Sequence, residues 1–349
     1  MDARPDRVVE WPTLWVALDW IPQHCVIPDR DRVGEPFDLY DDQLWVFANH
    51  YRVKRTAQLG QLAPAFHNRR SLEVGPQKIG KGPRVAAQVC LEGVGPALFS
   101  GWATGGEVYD CRDHGCGCGW VYEYAEGEPM GRQWATPLIQ ITASSEDQTG
   151  NIYDALRPMI QNGPLDELIP KTGEEFIRLP GDGRIDTVTS NAQSRLGQRV
   201  TFAAQDETGT WTVTNKMVKV AETQRRGLAG MGGRAMETTN AWDPMEQSVA
   251  QRTYEALARD IFRYFVQPPA TLSFKNKADR RKIYRAVYGD ALLENGGHID
   301  LDSIDAEAAE LMEKDPAQAE RFFGNRIVHG LGSWLPDGLW ERAWAGALA

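Results

Sequence analysis

The fold is decided by one stretch of the sequence, Arg70-Ser71-Leu72-Glu73-Val74-Gly75-Pro76-Gln77-Lys78-Ile79-Gly80-Lys81-Gly82-Pro83. It predicts a strand, then a turn bracketed by glycines, then a helix whose first turn holds Pro83. The turn fits the pattern G-x-x-x-x-G-K, in which backbone N–H groups and the lysine hold the phosphates of a nucleotide. The predicted phosphate-binding residues are Gly75, Pro76, Gln77, Lys78, Ile79, Gly80, Lys81 and Gly82. The alternative is an ordinary glycine-rich turn between a strand and a helix.

The sequence on either side of this loop alternates between predicted strands and helices, which is typical of a parallel α/β sheet. The predicted strands are 138–142, 174–179, 185–189, 199–204 and 234–240. The predicted helices are 41–51, 83–93, 146–160, 212–225 and 246–265. Residues 11–37 are interrupted by prolines and weakly periodic, so we expect an irregular arm with short strands there. Pro268-Pro269 predicts a domain boundary, with further helices beyond it.

An acidic pair, Asp206-Glu207, follows directly after the predicted strand 199–204. A nucleotide-hydrolysing site needs one carboxylate for the Mg²⁺ ion and one to polarise the attacking water. Because the carboxyl ends of parallel strands meet at one edge of a sheet, we expect this pair and the phosphate loop to lie at neighbouring strand tips. The alternative is an acidic turn exposed to solvent.

Two further groups of polar residues can be interpreted either as functional or as purely structural. Thr238-Thr239-Asn240 ends a predicted strand and is suited to sensing a γ-phosphate or, more simply, to capping a turn. Arg195 precedes the strand that leads to the acidic pair. It is suited to reach the γ-phosphate of a neighbouring subunit as an arginine finger, or it is a surface charge.

A cluster of cysteine and histidine residues interrupts the pattern of strands and helices between 102 and 131. Thiolate and imidazole are ligands that suit Zn²⁺, so a zinc site is one interpretation of this segment. The spacing is unusual, since structural zinc sites draw their ligands from two separated pairs. The alternative is the tip of a reduced, glycine-rich hairpin. The candidate ligands are Cys111, His114, Cys116 and Cys118.

Composition excludes several classes of protein. The 349 residues are 42% hydrophobic and 25% charged, which is ordinary for a globular chain. No stretch approaches the roughly 20 apolar residues of a membrane span, so no membrane partner is expected. The five cysteines, an odd number, and the lack of a signal sequence favour an intracellular site. The net charge of −10 argues against a uniformly basic surface, but the run 275–282 is a local candidate for DNA contact.

The order of these pieces resembles the ATPase domain of the large terminase subunit of tailed phages, the motor that packages genomic DNA. The resemblance extends from about residue 11 to residue 344. Four stretches carry it: Gly75–Gly82, Gln140–Gln148, Gln205–Thr208 and Thr238–Asn240.

The resemblance implies a role for each matched position. Gln43 would read the adenine from the first turn of its helix, and Lys81 would bind the β- and γ-phosphates. Asp206 would hold Mg²⁺, and Glu207 would activate water. Thr238, Thr239 and Asn240 would couple hydrolysis to DNA movement, and Arg195 would be the finger acting in trans. Two positions depart from the family: Lys78 stands in for an early arginine of the loop, and Gly82 replaces the hydroxyl that faces the metal.

The implied fold is a RecA-like P-loop α/β sheet with flanking helices. Residues 1–268 would form the ATPase core with the N-terminal arm and the adenine-binding helix, and 269–349 a helical lid or linker. Such a chain would stop where the family's nuclease domain begins. The implied activity is ATP hydrolysis with Mg²⁺, coupled to the translocation of double-stranded DNA into a procapsid in the host cytoplasm. The implied partners are DNA, the portal, the small terminase subunit and further copies in a ring.

Two other functions stay open from the sequence. A helicase-like ATPase that remodels nucleic acids would share the phosphate site but would separate strands. A non-catalytic assembly module stabilised by zinc would explain both Gly82 and the cysteine-rich loop.

Overall fold

The computed structural model describes residues 11–169, 171–173, 176–189 and 198–330. The described strands are β1 (Arg70–Val74), β2 (Leu98–Trp102), β3 (Val108–Asp110), β4 (Val121–Glu123), β5 (Pro129–Arg132), β6 (Leu138–Thr142), β7 (Phe176–Arg178), β8 (Arg184–Val188), β9 (Phe202–Gln205), β10 (Arg234–Thr239) and β11 (Ile261–Phe265). The described helices are α1 (Trp15–His24), α2 (Asp41–His50), α3 (Lys81–Val94), α4 (Glu146–Gln161), α5 (Leu165–Leu168), α6 (Met217–Met231), α7 (Val249–Glu255), α8 (Lys277–Tyr288), α9 (Leu301–Lys314) and α10 (Pro316–Gly324).

The centre of the molecule is a seven-stranded sheet in the order β11-β1-β10-β9-β6-β8-β7. Every neighbouring pair is parallel except β7 and β8. Strands β1, β9 and β10 are buried along their whole length, as expected for a parallel sheet covered by helices on both faces. The predicted α/β fold is therefore confirmed.

The phosphate loop and the acidic pair follow β1 and β9 at the same edge of this sheet. These two strands are not neighbours, however, because β10 lies between them. The expectation of neighbouring strand tips was wrong by one strand. The end of the intervening strand carries Thr238 and Thr239 and leads directly to Asn240, so the predicted coupling motif lies between the two halves of the candidate site.

The predicted long helix over 246–265 was wrong. The chain forms the short helix α7, turns, and then forms β11, which pairs in parallel with β1. The sequence of β11, Ile-Phe-Arg-Tyr-Phe, is rich in the β-branched and aromatic residues that favour strands. The helix predicted over 212–225 likewise begins later, at Met217, and Val213 is exposed.

The predicted irregular arm over 11–37 was also wrong in part, because it contains helix α1. Seven of the ten residues of α1 are buried, among them Trp15, Leu18 and Ile21. A helix buried nearly all round shows little amphipathic periodicity, and Pro22 in its last turns obscures the pattern further. The helix packs against α3, the helix that follows the phosphate loop.

The helices after Pro269 surround a hydrophobic cluster of their own. It includes Phe274, Ile283, Tyr288, Leu292 and Phe323, and it reaches the phosphate loop through Ile79. The division at 268 into a core and a lid stays a prediction. Among the described residues, no helix is both long and apolar enough to cross a membrane.

Candidate functional site

The phosphate loop joins β1 to α3 in the predicted way. Lys78 and Gly80 adopt positive φ angles of 71° and 97°, and Gly80 immediately precedes α3. Glycine tolerates this conformation because it has no Cβ atom. The loop therefore delivers the N-terminus of α3, where backbone N–H groups lack helical partners, to the carboxyl edge of the sheet.

The side chain of Lys81 is folded back into the loop. It is only 8% exposed. Its Nζ donates hydrogen bonds to the carbonyl oxygens of Gly75 and Pro76 and to Oδ1 of Asn240, each at 2.9 Å. All three protons of the ammonium group are thus used, and the charge is held beside the acidic pair.

Asp206 and Glu207 lie where β9 ends. Asp206 is 3% exposed, and its carboxylate accepts hydrogen bonds from Thr238 Oγ1 at 2.8 Å and Asn151 Nδ2 at 3.4 Å. Burial raises the pKa of both carboxyl groups, and the charge of Lys81 opposes this rise. Glu207 has a φ angle of +52°, an uncommon conformation for a residue other than glycine and one that occurs often at functional sites.

The three residues of the predicted coupling motif, Thr238, Thr239 and Asn240, link the other parts of the site. Thr238 holds Asp206, and Thr239 Oγ1 accepts a hydrogen bond from the backbone N–H of Gly209, in the turn after Glu207, at 2.8 Å. The Asn240 side chain accepts from Lys81 through Oδ1 and donates from Nδ2 to Glu207 Oε2 at 3.2 Å. One amide group therefore bridges the lysine and the acidic pair.

The absence of a hydroxyl residue after Lys81 has a steric cause. A Cβ atom added to Gly82 would lie 2.4 Å from the carbonyl oxygen of Asn151, in helix α4. No side chain fits such a distance to a backbone atom. The same Asn151 carries the amide that contacts Asp206, so α4 approaches the site closely at the position that a serine or threonine usually occupies.

Gly82→Ser, which restores the usual residue of the motif, is expected to destabilise the protein. Moving α4 away from the new side chain should lower the free energy of unfolding by about 1–3 kcal/mol, the usual cost of overpacking. Urea denaturation measures this difference. Gly230→Ser is the matched control, because a Cβ atom at Gly230 meets nothing within 4 Å. Unchanged stability of Gly82→Ser would show that α4 shifts freely.

A cleft of about 700 Å³ opens beside the loop, within the size range of small-molecule sites. Lys81, Asp206 and Glu207 line one part of it, and Gln43 and Tyr40 line another. Gln43 is 7% exposed, and its Oε1 accepts a hydrogen bond from the backbone N–H of Tyr40 at 3.2 Å. The side chain is therefore held in place at the first turn of α2.

The segment after Pro269 also reaches the cleft. Nδ1 of His298 lies 3.1 Å from the hydroxyl of Tyr40, and its Nε2 lies 3.3 Å from the carbonyl oxygen of Lys78. Burial lowers the pKa of His298, which favours the neutral ring. The backbone N–H of Gln77, in the loop, donates to the carbonyl oxygen of Phe322 at 2.7 Å, and its carbonyl oxygen accepts a hydrogen bond from the Tyr288 hydroxyl at 2.9 Å. The C-terminal helices thus contact the backbone of the phosphate loop directly.

The cysteine-rich segment forms a cluster, but with a different histidine from the predicted one. Ligand atoms of Cys111, Cys116, Cys118 and His24 all lie within 4.8 Å of one another. His114 is not part of this cluster, because its ring stacks on Tyr109 with the ring centroids 4.4 Å apart. The assignment of His114 as a metal ligand was therefore wrong. No local sequence signal marks His24, which lies at the end of α1.

Two other regions were predicted to be functional, the arginine finger Arg195 and the basic run 275–282. Arg195 lies outside the described residues, and its role stays a prediction. Within the basic run 275–282, Arg280 is buried against Asp305 at 2.9 Å and Arg281 pairs with Asp302, whereas Lys275, Lys277 and Lys282 are exposed, so DNA contact by this run stays a prediction. Asn151 and His298 were missed by the sequence analysis, because neither belongs to a recognisable motif.

Comparison with known proteins gives relatives from phages. The chain is 27% identical over 286 residues to the Gene 13 protein of Mycobacterium phage L5 and 28% identical over 181 residues to that of Mycobacterium phage D29. These matches cover 75% and 50% of the chain but only 45% and 27% of the two relatives. The chain thus spans less than half the length of the curated relatives it matches. No protein-family model matches the chain.

Among solved structures, the large terminase of bacteriophage HK97 superimposes on 90% of the chain with a TM-score of 0.61. The chain has the fold of a phage large terminase. It covers 55% of the HK97 protein, and the sequences are 16% identical. The resemblance stated from the sequence motifs is thereby confirmed at the level of the fold.

Proposed function

We propose that the chain is the ATP-hydrolysing motor part of a phage DNA-packaging terminase. The observation that carries the proposal is the convergence of Lys81, Asp206, Glu207 and Asn240 at the edge of one cleft. These residues come from three different strand ends, yet a chain of contacts of 2.8–3.4 Å connects them. Such an arrangement is the one that phosphoryl transfer requires.

The site fits a magnesium ion by the chemistry of its donors. The carboxylate of Asp206 and the hydroxyl of Thr238 meet there, and oxygen ligands are the ones that Mg²⁺ prefers, while Asn151 donates its amide N–H to the same carboxylate. When bound, the ion would neutralise charge that develops on the phosphate oxygens. Burial raises the pKa of Asp206 and of Glu207, and a cation bound beside them would favour their ionised forms.

The other residues would position the nucleotide and its attacking water. Lys81 would exchange one of its three hydrogen-bond partners for a phosphate oxygen, with the N-terminus of α3 beside it. Glu207, held by Asn240, would accept a proton from water as that water attacks. Gln43 would contact the adenine at the far part of the cleft, and Lys78, which is exposed, would add positive charge near the phosphates.

Asn240 offers a physical route from hydrolysis to movement. When a phosphate oxygen binds Lys81, the hydrogen bond from Lys81 to Asn240 can lengthen or break. Because Asn240 also donates a hydrogen bond to Glu207, this change reaches the acidic pair. The proposal also includes translocation of double-stranded DNA, the trans-acting role of Arg195 and assembly into a ring. It further includes binding to the portal and the small subunit in the host cytoplasm. They are supported by the terminase fold.

Lys81→Ala tests the enzymatic part of the proposal. We expect ATP hydrolysis with Mg²⁺ to fall by about 10²–10³-fold, the usual effect of removing one preorganised charge from a transition state. Phosphate release measures the rate, with and without double-stranded DNA. Lys314→Ala is the control, because Lys314 is exposed and pairs with Glu310 on its own helix, away from the cleft. Equal rates for the wild type and Lys81→Ala would overturn the proposal.

A second assay separates a packaging motor from a helicase. The wild-type protein is given ATP and a duplex that carries either a third strand or a fluorescently labelled complementary strand. We expect displacement of the third strand with the duplex left intact. Separation of the duplex instead would favour the helicase function.

A further inference from the structure

The cluster of His24, Cys111, Cys116 and Cys118 has the composition and geometry of a closed metal site. It holds four ligand atoms within 4.8 Å of one another. Nε2 of His24 lies 3.1 Å from Sγ of Cys111 and 3.3 Å from Sγ of Cys118. In a tetrahedral zinc site with Zn–S bonds of about 2.3 Å, neighbouring ligand atoms lie about 3.5–3.8 Å apart, so only small adjustments are needed.

The ring of His24 has an orientation that suits metal binding. Its Nδ1 lies 2.9 Å from the carbonyl oxygen of Trp20, which leaves Nε2 facing the sulfurs. The ring also stacks on Trp20 with the centroids 4.3 Å apart. Histidine ligands of metals commonly have their second nitrogen bound in this way to a backbone carbonyl.

The loop that carries the cysteines is also shaped around the cluster. Gly115 and Gly119 have positive φ angles of 79° and 77°, which allow the chain to turn back on both sides of Cys116 and Cys118. The backbone N–H of Trp120 points to Sγ of Cys118 at 3.5 Å. Such an N–H bond stabilises a thiolate.

A disulfide does not account for this arrangement. Among the described residues all five cysteines are free, and three of them meet here together with an imidazole. The contrast with Cys25 and Cys90 is informative, since within the part of the chain that the structure describes those two buried thiols have no histidine or third sulfur in a comparable cluster. Three sulfurs and one nitrogen on two distant segments form a complete set of four ligands.

We propose that His24, Cys111, Cys116 and Cys118 bind a structural Zn²⁺ ion. Thiolate and imidazole ligands select zinc among the common divalent ions, and four protein ligands leave no open position for catalysis. The ion links the segment that contains the short strands β2 to β5 to helix α1. Because α1 packs on α3, the site supports the helix that begins at the phosphate loop.

The test begins with wild-type protein purified under reducing conditions without chelator. Elemental analysis is expected to give a single zinc ion per chain, and replacement by Co²⁺ is expected to give the visible bands and thiolate charge-transfer absorption of a tetrahedral site. Absence of both zinc and this spectrum would overturn the proposal. These measurements need no variant and do not depend on ATPase activity.

Variants then identify the ligands. His24→Ala and Cys118→Ser should each weaken zinc binding by more than about a hundredfold, because even partners of ligands contribute up to that factor. His24→Cys should restore binding with four sulfurs, and its Co²⁺ spectrum shows this even if His24→Ala folds poorly. His114→Ala is the matched control and should bind zinc as the wild type does. Loss of zinc in His114→Ala with retention in His24→Ala would refute the assignment.

Discussion

Glu207→Gln is expected to lower the rate of ATP hydrolysis by about 10²–10⁴-fold, the usual contribution of a general base. The amide has nearly the shape of the carboxylate and still accepts the hydrogen bond that Asn240 donates to Glu207. It does not take a proton from water. We therefore expect ATP binding to be retained while the chemical step is lost.

The same variant should be more stable than the wild type without nucleotide, in a way that depends on pH. Burial raises the pKa of Glu207 in the native state, so the folded protein holds the proton to higher pH than the unfolded chain does. Ionisation above the native pKa therefore destabilises the wild type, and glutamine avoids this cost. The stability advantage of Glu207→Gln should be largest at neutral pH and should disappear below the usual glutamate pKa of about 4.3.

Both effects are measurable in one set of proteins. Phosphate release gives the rate, nucleotide titration gives the affinity, and thermal unfolding between pH 4 and pH 8 gives the stability. Glu246→Gln is the control, because Glu246 is exposed and lies outside the cleft. Hydrolysis by Glu207→Gln at the wild-type rate would remove Glu207 from the mechanism, and a loss of stability at neutral pH would contradict the electrostatic argument.

Arg234→Ala is expected to lower the free energy of unfolding by about 3–5 kcal/mol, the typical cost of removing one partner of a buried ion pair. Arg234 is 3% exposed and donates to Glu92 Oε1 at 3.1 Å and to the carbonyl oxygen of His50 at 2.7 Å. Its guanidinium also stacks on Phe66, 3.8 Å from the ring centroid. The arginine thus joins the start of β10 to α2 and α3.

The loss in free energy of unfolding of Arg234→Ala should be smaller at acidic pH. Burial raises the pKa of Glu92, and Arg234 opposes this rise. Without the arginine, protonation of Glu92 relieves the buried charge, so the difference from the wild type should shrink as the pH falls. Urea denaturation at several pH values measures it. Arg69→Ala, which breaks an exposed pair with Asp260, should change stability by no more than about 1 kcal/mol. An equally small effect of Arg234→Ala would contradict this account.

The core of the candidate site could be predicted from the sequence because its parts are local. A glycine-bracketed loop ending in Lys81 and a carboxylate pair after an apolar strand each occupy a few consecutive residues. The backbone conformations of these short segments require particular residue types at fixed spacings, and the sequence shows that pattern directly. The parallel order of the strands then brings their carboxyl ends to one edge.

Other features of the fold and of the site could not be predicted from local sequence patterns. Helix α1 lacks amphipathic periodicity because it is buried nearly all round, and β11 was merged into the preceding helix because the turn between them has no glycine or proline. Asn151 and His298 lie in segments whose sequences carry no motif. Their approach to the loop depends on how α4 and the C-terminal helices pack.

The amino-acid sequence by itself determined the class of fold, the phosphate loop and the acidic pair, since these depend on propensities and spacing within short segments. The tertiary structure alone decided that β10 separates the two halves of the site, that α4 excludes any side chain at Gly82, and that His24 joins the three cysteines. In each of these cases, groups far apart in the chain meet through packing. The free energy of packing depends on the whole core, so no local pattern records it.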